Sequence, residues 1–292
     1  MVRILFGISV VLILSIQLVD SATSQKERSI VSDDFTNKRP KSKKRTNSKR
    51  KRPRTYRLAS TTLTNPTAKS SFDKLQVGVT IWKLQRSGTV HSSIGQPLRE
   101  DSRGQYEWVA RRVEADTQFR EGDLLRLSIE SPWLGYLYVV DRDWFTDDSS
   151  GETNLIFPAR GEDNRLEAGK LIEIPAENQP PFKTRPKPGQ AGELLTIIIT
   201  SAPLSLSLTQ NPLPISTLQL AQWEDHWSSL TERFEMNGGA GEARTTEEQQ
   251  AASSGGTRQL TRDDPAPQTI YFLTPRSGDG LLFNLMLSYK EH

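Results

Sequence analysis

The chain has 292 residues, a formal net charge of +3 and no cysteine. The absence of cysteine excludes disulfides, cysteine metal sites, thiol catalysis and a lipidated cysteine. The charge is unevenly distributed: residues 1–57 hold 15 Lys and Arg against 4 Asp and Glu, a net +11, whereas the rest holds 23 against 31, a net −8. The positive charge therefore belongs to the N-terminal region and gives no indication that the folded body binds nucleic acid.

The first 24 residues are typical of a secretory signal. Met1-Val2-Arg3 precedes an almost wholly apolar run from Ile4 to Val19, and small residues follow it. This pattern predicts export, to the periplasm or outside the cell, with cleavage after Ser21 or Ser24. The alternative is an uncleaved membrane anchor formed by residues 4–19, a run slightly short for a full span.

A basic arm follows, within a linker that we expect to be disordered over residues 25–71. Residues 38–57 contain twelve basic residues, two prolines and no acidic residue, without apolar periodicity. Such an arm attracts polyanions because binding releases their counterions. The candidate residues are Lys43, Lys44, Arg45, Lys49, Arg50, Lys51, Arg52 and Arg54. In an exported protein the partner would be an anionic membrane or cell-wall polymer, and nucleic acid would be disfavoured; a solvated linker without a partner is the alternative.

The body, residues 72–290, is predicted to be a single β-rich domain. Leu75–Leu84 alternates as a strand does, Glu107–Ala115 is a weaker strand, and Phe119–Trp144 reads as a hairpin. In that hairpin an alternating strand ends at a turn containing Pro132 and Gly135, and the apolar run Tyr136–Val140 then predicts an inner strand covered on both faces. Further strands are expected at 155–158, 170–175, 193–200, 269–274 and 281–289, the last two joined as a hairpin.

One amphipathic helix is predicted over residues 216–235. Ser216 and Gln219 form a capping box, and apolar side chains recur at spacings of three and four. Residues 237–268, rich in Gly, Ala, Ser and Thr, are expected to form a mobile insert. This pattern of short strands with one helix predicts a mainly β fold, an immunoglobulin-like β-sandwich, with a small barrel as the alternative. Three tryptophans are candidates for contact with a protein partner: Trp133, Trp223 and Trp227.

Acidic residues crowd the chain after the inner strand. Oxygen-rich loops supply ligands for Ca²⁺, so this stretch is a weak candidate metal site. The residues are Asp141, Asp143, Asp147, Asp148 and Glu152. Their spacing departs from the EF-hand pattern because Phe145 stands where a third ligand is needed. A solvated turn is the alternative.

Several sequence blocks keep their order along the body and resemble a bacterial family, domain of unknown function 4384. They are VGVTIWKL (77–84), VEAD and FREGD (113–123), LSIESP and GYLYVVDR (127–142), LIFP (155–158), GEDNRLEAGKLIEIPA (161–176), LAQWE (220–224) and DPAPQTIY (264–271). Members of that family occur alone behind a signal sequence or beside modules such as caspase-like peptidases. No peptidase module is recognisable here, and the resemblance implies no catalytic residue.

The sequence contains no G-x-S-x-G elbow, H-E-x-x-H helix, phosphate-binding loop or dinucleotide fingerprint, and it identifies no catalytic residue and no cofactor. Three functions remain open. The first is a non-enzymatic binding or scaffold domain of the cell envelope with a polybasic tether. The second is a small envelope hydrolase using carboxylates or Ca²⁺ in the 141–152 loop. The third is a membrane-anchored domain that binds acidic lipid or nucleic acid through the basic arm.

Overall fold

A computed structural model describes residues 29–42, 74–86, 98–99, 107–236, 239–253 and 258–290, with the backbone alone at 98, 99 and 107. Two antiparallel sheets dominate it. Sheet one contains β1 (Leu75–Arg86), β2 (Leu98–Arg99), β3 (Glu107–Val113), β4 (Leu124–Glu130), β8 (Leu171–Ile174), β9 (Phe182–Lys183), β12 (Leu230–Glu235) and β13 (Thr269–Thr274). Sheet two contains β5 (Gly135–Phe145), β6 (Ser150–Phe157), β7 (Arg165–Leu166), β10 (Gln190–Thr200), β11 (Leu213–Pro214) and β14 (Gly280–Ser288).

The long strand β1 organises sheet one. One of its edges pairs with β4, and the other pairs with β13 along its first half and with β3 along its second half. Beyond these neighbours, β12 extends the sheet next to β13, β2 next to β3, and β8 and β9 next to β4. In sheet two the order is β11-β6-β5-β10-β14, and β7 pairs with the start of β5.

The main core lies between the two sheets. Alternate side chains of β1, β4, β8 and β13 face alternate side chains of β5, β10 and β14. Leu137 and Val139 of β5, together with Leu127 and Ile129 of β4, are completely buried there. The prediction of a mainly β sandwich is confirmed. The barrel alternative is wrong because the two sheets do not close onto each other.

The segment Phe119–Trp144 contains the two predicted strands, but they do not form a hairpin. β4 belongs to sheet one and β5 to sheet two, so residues 131–134 carry the chain across the sandwich. β13 and β14, also predicted as a hairpin, cross between the sheets in the same way. An alternating pattern tells which face of a strand is apolar and does not tell which strand is its neighbour. Both strand assignments are therefore right, and both pairings are wrong.

A second apolar cluster covers the outer face of sheet two. There α2 (Thr217–Trp227) packs Leu220 and Trp227 against Tyr138, Ile198 and Leu282. The helix begins as predicted, since the Ser216 hydroxyl accepts a hydrogen bond from the Gln219 N–H. It ends at Trp227, eight residues early. Residues 230–235 pair with β13 as β12, so the predicted helix is wrong there: Leu230 and Phe234 fit a helical spacing but lie in a strand.

The outer face of sheet one is covered by two segments that composition had marked as disordered or mobile. Residues 29–42 begin with helix α1 (29–36), and its Phe35 is 1% exposed, against Gly78. Residues 239–253 and 258–268 lie on the same face and include α3 (Thr246–Ala252). The predictions of disorder at 29–42 and of a mobile insert at 239–253 and 258–268 are therefore wrong.

The predicted signal, residues 1–24, and the basic run from Lys43 to Arg57 lie outside the described residues. The eight candidate polyanion-binding residues lie in that undescribed stretch too. Among the helices that the structure does describe, none has the length and apolar character needed to cross a bilayer.

Candidate functional site

The three tryptophans predicted to contact a partner have different environments. Trp133 lies in the segment that crosses between the sheets and is 43% exposed, next to Leu134 at 80%. Trp223 is half-buried and stacks on Trp227, with ring centroids 6.4 Å apart. Trp227 is buried; its indole N–H donates to Asp279 Oδ1 at 3.1 Å, and its ring covers Gly280. Trp227 therefore holds α2 to β14, and Trp133 presents the more accessible surface.

The five acidic residues of the predicted calcium site are not brought together. Asp141 and Asp143 lie in β5, while Asp147 lies in the exposed β5–β6 turn, where its carboxylate accepts hydrogen bonds from Ser149. Asp148, also in that turn, has a positive φ of 60°, and Glu152 is exposed on β6. Across the part of the chain that the structure describes, no group of three or more His, Asp or Glu is arranged to hold a metal ion. The calcium site stays a prediction.

Asp141 and Asp143 instead join a carboxylate that the sequence reasoning missed. The register of β5 and β10 places Glu193 opposite Asp143, and we call Asp141, Asp143 and Glu193 the acidic cluster. Lys187 Nζ lies 2.7 Å from Asp143 Oδ2, and Gln190 Nε2 donates to Asp143 Oδ1 at 2.9 Å. The cluster occupies the end of the sandwich, where the inner-facing positions of β5 and β10 change from apolar to acidic.

Burial governs the protonation of the acidic cluster. It raises the pKa of Asp141 to about 8, and the negative charges of Glu193 and Asp143 add to the rise. Burial also raises the pKa of Glu193, although the Tyr289 hydroxyl donates a hydrogen bond to that carboxylate and opposes the rise. Oδ1 of Asp141 is buried and accepts no hydrogen bond from the described residues. The cluster can therefore retain a proton near neutral pH. In the sequence, the acidic cluster is indicated by Glu193, an acidic residue near the start of the otherwise apolar strand β10.

Charged side chains are also buried on the outer face of sheet one. Arg39 contacts both carboxylate oxygens of Glu130, at 2.6 and 3.0 Å, and also donates to the carbonyls of Thr261, Asp264 and Pro265. Both side chains are at most 4% exposed. Burial raises the pKa of Glu130, and the Arg39 guanidinium opposes that rise. This pair fixes residues 29–42 to β4.

Trp82 is the centre of the same buried face. Its indole N–H donates to Ser128 Oγ at 2.7 Å, and the guanidinium carbons of Arg112 and Arg244 lie 5.2 and 4.7 Å from the ring centroid. Arg112 pairs with Glu248, and Arg244 with Glu173 at 2.5 Å. We call these pairs, with Arg39–Glu130, the ionic layer. The sequence signal missed here is Thr245-x-x-Glu248, a complete capping box for α3.

A cavity of about 640 Å³ lies beside the ionic layer and is a candidate binding site. It lies between the loop that follows β6, strand β8 with the loop after it, and the end of α3. Its apolar wall includes Phe157, Leu171, Ala251 and Ala252. A volume of this size is in the range of sites for small molecules.

The rest of the cavity wall is polar and rich in carboxylates. The acidic residues are Glu162, Asp163, Glu167 and Glu173, and the basic residues are Lys170 and Arg258. Three side-chain amides complete the polar wall: Asn178, Gln179 and Gln259. The arrangement offers hydrogen-bond acceptors and negative charge next to an apolar surface. None of these residues was singled out from the sequence, because they come from four separate segments.

Comparison of the chain with known proteins gave no match to a protein-family model, to a curated protein or to a solved structure.

Proposed function

We propose that the protein is a non-enzymatic binding or scaffold domain of the bacterial envelope that holds an anionic surface against its folded body through the basic run 43–57. Export and membership of the family called domain of unknown function 4384 form part of this proposal. They rest on the apolar N-terminal run and on the order of the sequence blocks in the body.

The observation that carries the proposal is that the described residues on either side of the stretch 43–73, which contains the basic run, lie on the same sandwich. On the N-terminal side Arg39 is buried against Glu130, and the Ser42 hydroxyl donates to Asp263 at 2.6 Å. On the C-terminal side Lys74 leads directly into β1, the central strand of sheet one. A polyanion that binds between these two points is therefore held next to the body.

Charge supports the choice of ligand. Residues 43–57 contain nine Lys and Arg and no acid, whereas the chain from residue 58 onward carries a net −8. Each basic residue near an anionic membrane contributes about 1 kcal/mol of attraction at physiological ionic strength. The acidic body opposes such contact, so attraction is confined to the basic run.

The test is the salt dependence of binding to vesicles that contain about 30% phosphatidylserine in phosphatidylcholine, a composition chosen for its anionic surface. Replacing all nine Lys and Arg of residues 43–57 with Gln should weaken binding at 0.15 M salt by at least about 100-fold. Replacing Thr61, Thr62 and Thr64 with Gln, in the same connection, should leave binding unchanged. Retained vesicle binding in the first variant would show that the basic run is not the contact.

Double-stranded DNA in place of vesicles distinguishes the membrane from nucleic acid. Binding of DNA without binding of vesicles would favour a nucleic-acid partner for the same run. No specific observation favours the hydrolase alternative, since its five candidate acids in the 141–152 loop are divided between strand β5, an exposed turn and strand β6.

A further inference from the structure

We infer that the cavity between β8, α3 and the loop after β6 binds an organic cation, an ammonium or guanidinium group carried on an apolar stem. The residues of this cavity do not belong to the basic run. The ligand inferred here is a cation, whereas the ligand proposed for the basic run is a polyanion.

The cations of the cavity wall are already committed to protein carboxylates. Lys170 Nζ lies 2.7 Å from Asp163 Oδ2 and donates to the Arg165 carbonyl, also at 2.7 Å. Arg258 contacts both oxygens of Asp264, at 2.7 and 3.0 Å. An anionic ligand would have to displace one of these carboxylates, so the wall disfavours anions.

Two carboxylates of the wall have no cation opposite them among the described residues. Glu162 is held by neutral donors, the Ala159 N–H and the Gln179 side-chain amide, each at 2.7 Å. Glu167 is exposed, and its carboxylate makes no hydrogen bond or ion pair within the part of the chain that the structure describes. Two uncompensated negative charges on one cavity favour a positively charged group in it.

Glu173 adds an independent observation at the inner wall, a carboxylate oxygen without a donor in the described part of the chain. Its side chain is 1% exposed, and Oε1 contacts Arg244 at 2.5 Å. Oε2 is buried and has no hydrogen-bond partner among the described residues. A buried carboxylate oxygen without a donor is costly, and a cation bound nearby lowers that cost.

The apolar part of the wall determines the rest of the ligand. Leu171, Ala251 and Ala252 form a hydrophobic cluster with Leu260 beside the carboxylates. Lysine, arginine and similar amphiphilic cations bury a methylene stem along such a surface while the charged group stays at a polar edge. The cavity therefore fits a short alkyl chain with a cationic head.

Two sources carry this chemistry, a free small cation and the chain itself. Pro40 packs against Gly169, where an added Cβ would lie 2.8 Å from Pro40 Cδ, and Gly169 is two residues from Glu167. The Lys- and Arg-rich sequence that begins at Lys43 therefore follows a segment fixed beside the cavity. The experiment has to separate these two sources.

The experiment titrates the full chain with agmatine, a guanidinium and an ammonium on a four-carbon stem, by isothermal calorimetry. Adipate, a dicarboxylate on the same stem, is the matched probe of opposite charge. In the chain with Gln at all nine basic positions of residues 43–57, where adipate has no basic run to bind, agmatine should bind saturably with a Kd of about 1 mM or tighter and adipate should not bind. Equal binding of the two probes would overturn the proposal.

A pair of charge-reversed variants tests the site. Glu167→Lys should weaken agmatine binding about 10-fold or more, whereas Glu121→Lys, also exposed but not part of the cavity wall, should not change it. Urea midpoints check that both variants fold. Identical affinities of the two variants would overturn the assignment.

The chain with Gln at all nine basic positions of residues 43–57 identifies the source. Tighter agmatine binding than in the unmodified chain, retained in 1 M salt where long-range attraction is screened, supports the site and indicates that the chain's own basic residues compete for it. Unchanged affinity supports the site with a free cation as its ligand. Absence of saturable binding in this variant overturns the proposal, because no competitor from the chain remains.

Discussion

On the outer face of sheet one, Glu130, Glu173 and Glu248 each contact an arginine, whereas the acidic cluster at the end of sheet two gathers three carboxylates around Lys187. The ionic layer is almost completely buried, with side chains no more than 5% exposed. The cluster is only partly buried, and Lys187 is 51% exposed. One region pairs each charge in a dry environment, and the other leaves charge of one sign in excess near water.

The difference has structural consequences. Each pair of the ionic layer joins a strand of sheet one to a covering segment, residues 29–42 or 239–253. Burying an ion pair is not strongly stabilising in itself, but breaking one leaves an uncompensated charge in the interior. The layer therefore specifies where the covering segments dock. The acidic cluster docks no segment, and its excess charge makes the stability of the sandwich depend on pH.

The largest expected effect comes from breaking the ionic layer. Arg39→Met should lower the free energy of unfolding by about 3–5 kcal/mol, because Glu130 then remains buried without a partner. The loss should be smaller at pH 5 than at pH 8, since burial raises the pKa of Glu130 and its protonation relieves the uncompensated charge. Urea denaturation at both pH values measures the effect.

Two further variants complete this test. Lys38→Met removes an adjacent cation whose side chain is 37% exposed, and should cost less than about 1 kcal/mol. Arg39→Met combined with Glu130→Met removes both charges and should recover part of the loss. If Arg39→Met costs no more than Lys38→Met, the ionic layer does not fix the N-terminal segment.

The next effect concerns the acidic cluster and has a defined sign. Burial raises the pKa of Asp141 from 3.8 to about 8, so between these pH values the folded chain holds a proton that the unfolded chain has lost. The free energy of unfolding therefore falls as the pH rises through this window, with a slope approaching about 1.4 kcal/mol per pH unit for one proton. Below this window Asp141 is protonated in both states and does not lower the free energy of unfolding. Above it Asp141 is ionised in both states, and the full cost of burying its charge is present.

Asp141→Asn should remove this slope and make the protein more stable than the unmodified chain at pH 8, with a smaller difference at pH 5. Chemical denaturation at intervals of one pH unit measures it. Asp116→Asn, at an exposed position, is the control and should leave the slope unchanged. If Asp141→Asn keeps the same dependence on pH as the unmodified chain, the buried carboxyl of Asp141 is not the cause of that dependence.

The strands of the sandwich follow closely from the sequence. Alternation identified β1 and β4, and apolar or β-branched runs identified β5 and β10, because an apolar face must be buried and this constrains local residue order. Which strands pair with one another could not be predicted from this local pattern. The turn between β4 and β5 contains proline and glycine, which permit a reversal of direction both within one sheet and between two sheets.

The order of the covering segments was not predicted from the sequence, for a different physical reason. Residues 29–42 and 239–253 contain many charged and small residues, a composition that usually cannot bury enough apolar surface to order a chain. In the structure they bury Phe35, Ala251 and Ala252, and the ion pairs of Arg39, Arg112 and Arg244 specify where they dock. A carboxylate such as Glu130 or Glu173, on an alternating strand, looks solvent-facing until its partner from a distant segment is known. The cavity wall was missed for the same reason, since four separate segments supply it.

The smallest expected effect is the difference in stability loss between breaking an ordinary surface ion pair and breaking one beside the acidic cluster. Lys187→Met should cost less than about 1 kcal/mol at pH 5, as expected for an ion pair whose lysine is half exposed. Lys74→Met breaks a comparable pair with Glu232 on sheet one, which lies away from the acidic cluster. The loss from Lys187→Met should grow between pH 5 and pH 8, because Asp141, whose pKa burial raises to about 8, begins to ionise in that window and Lys187 is then missing as a compensating charge. The loss should shrink in 1 M salt. The loss from Lys74→Met should stay constant with pH. Parallel pH profiles for the two variants would mean that the excess charge of the acidic cluster is already screened by water.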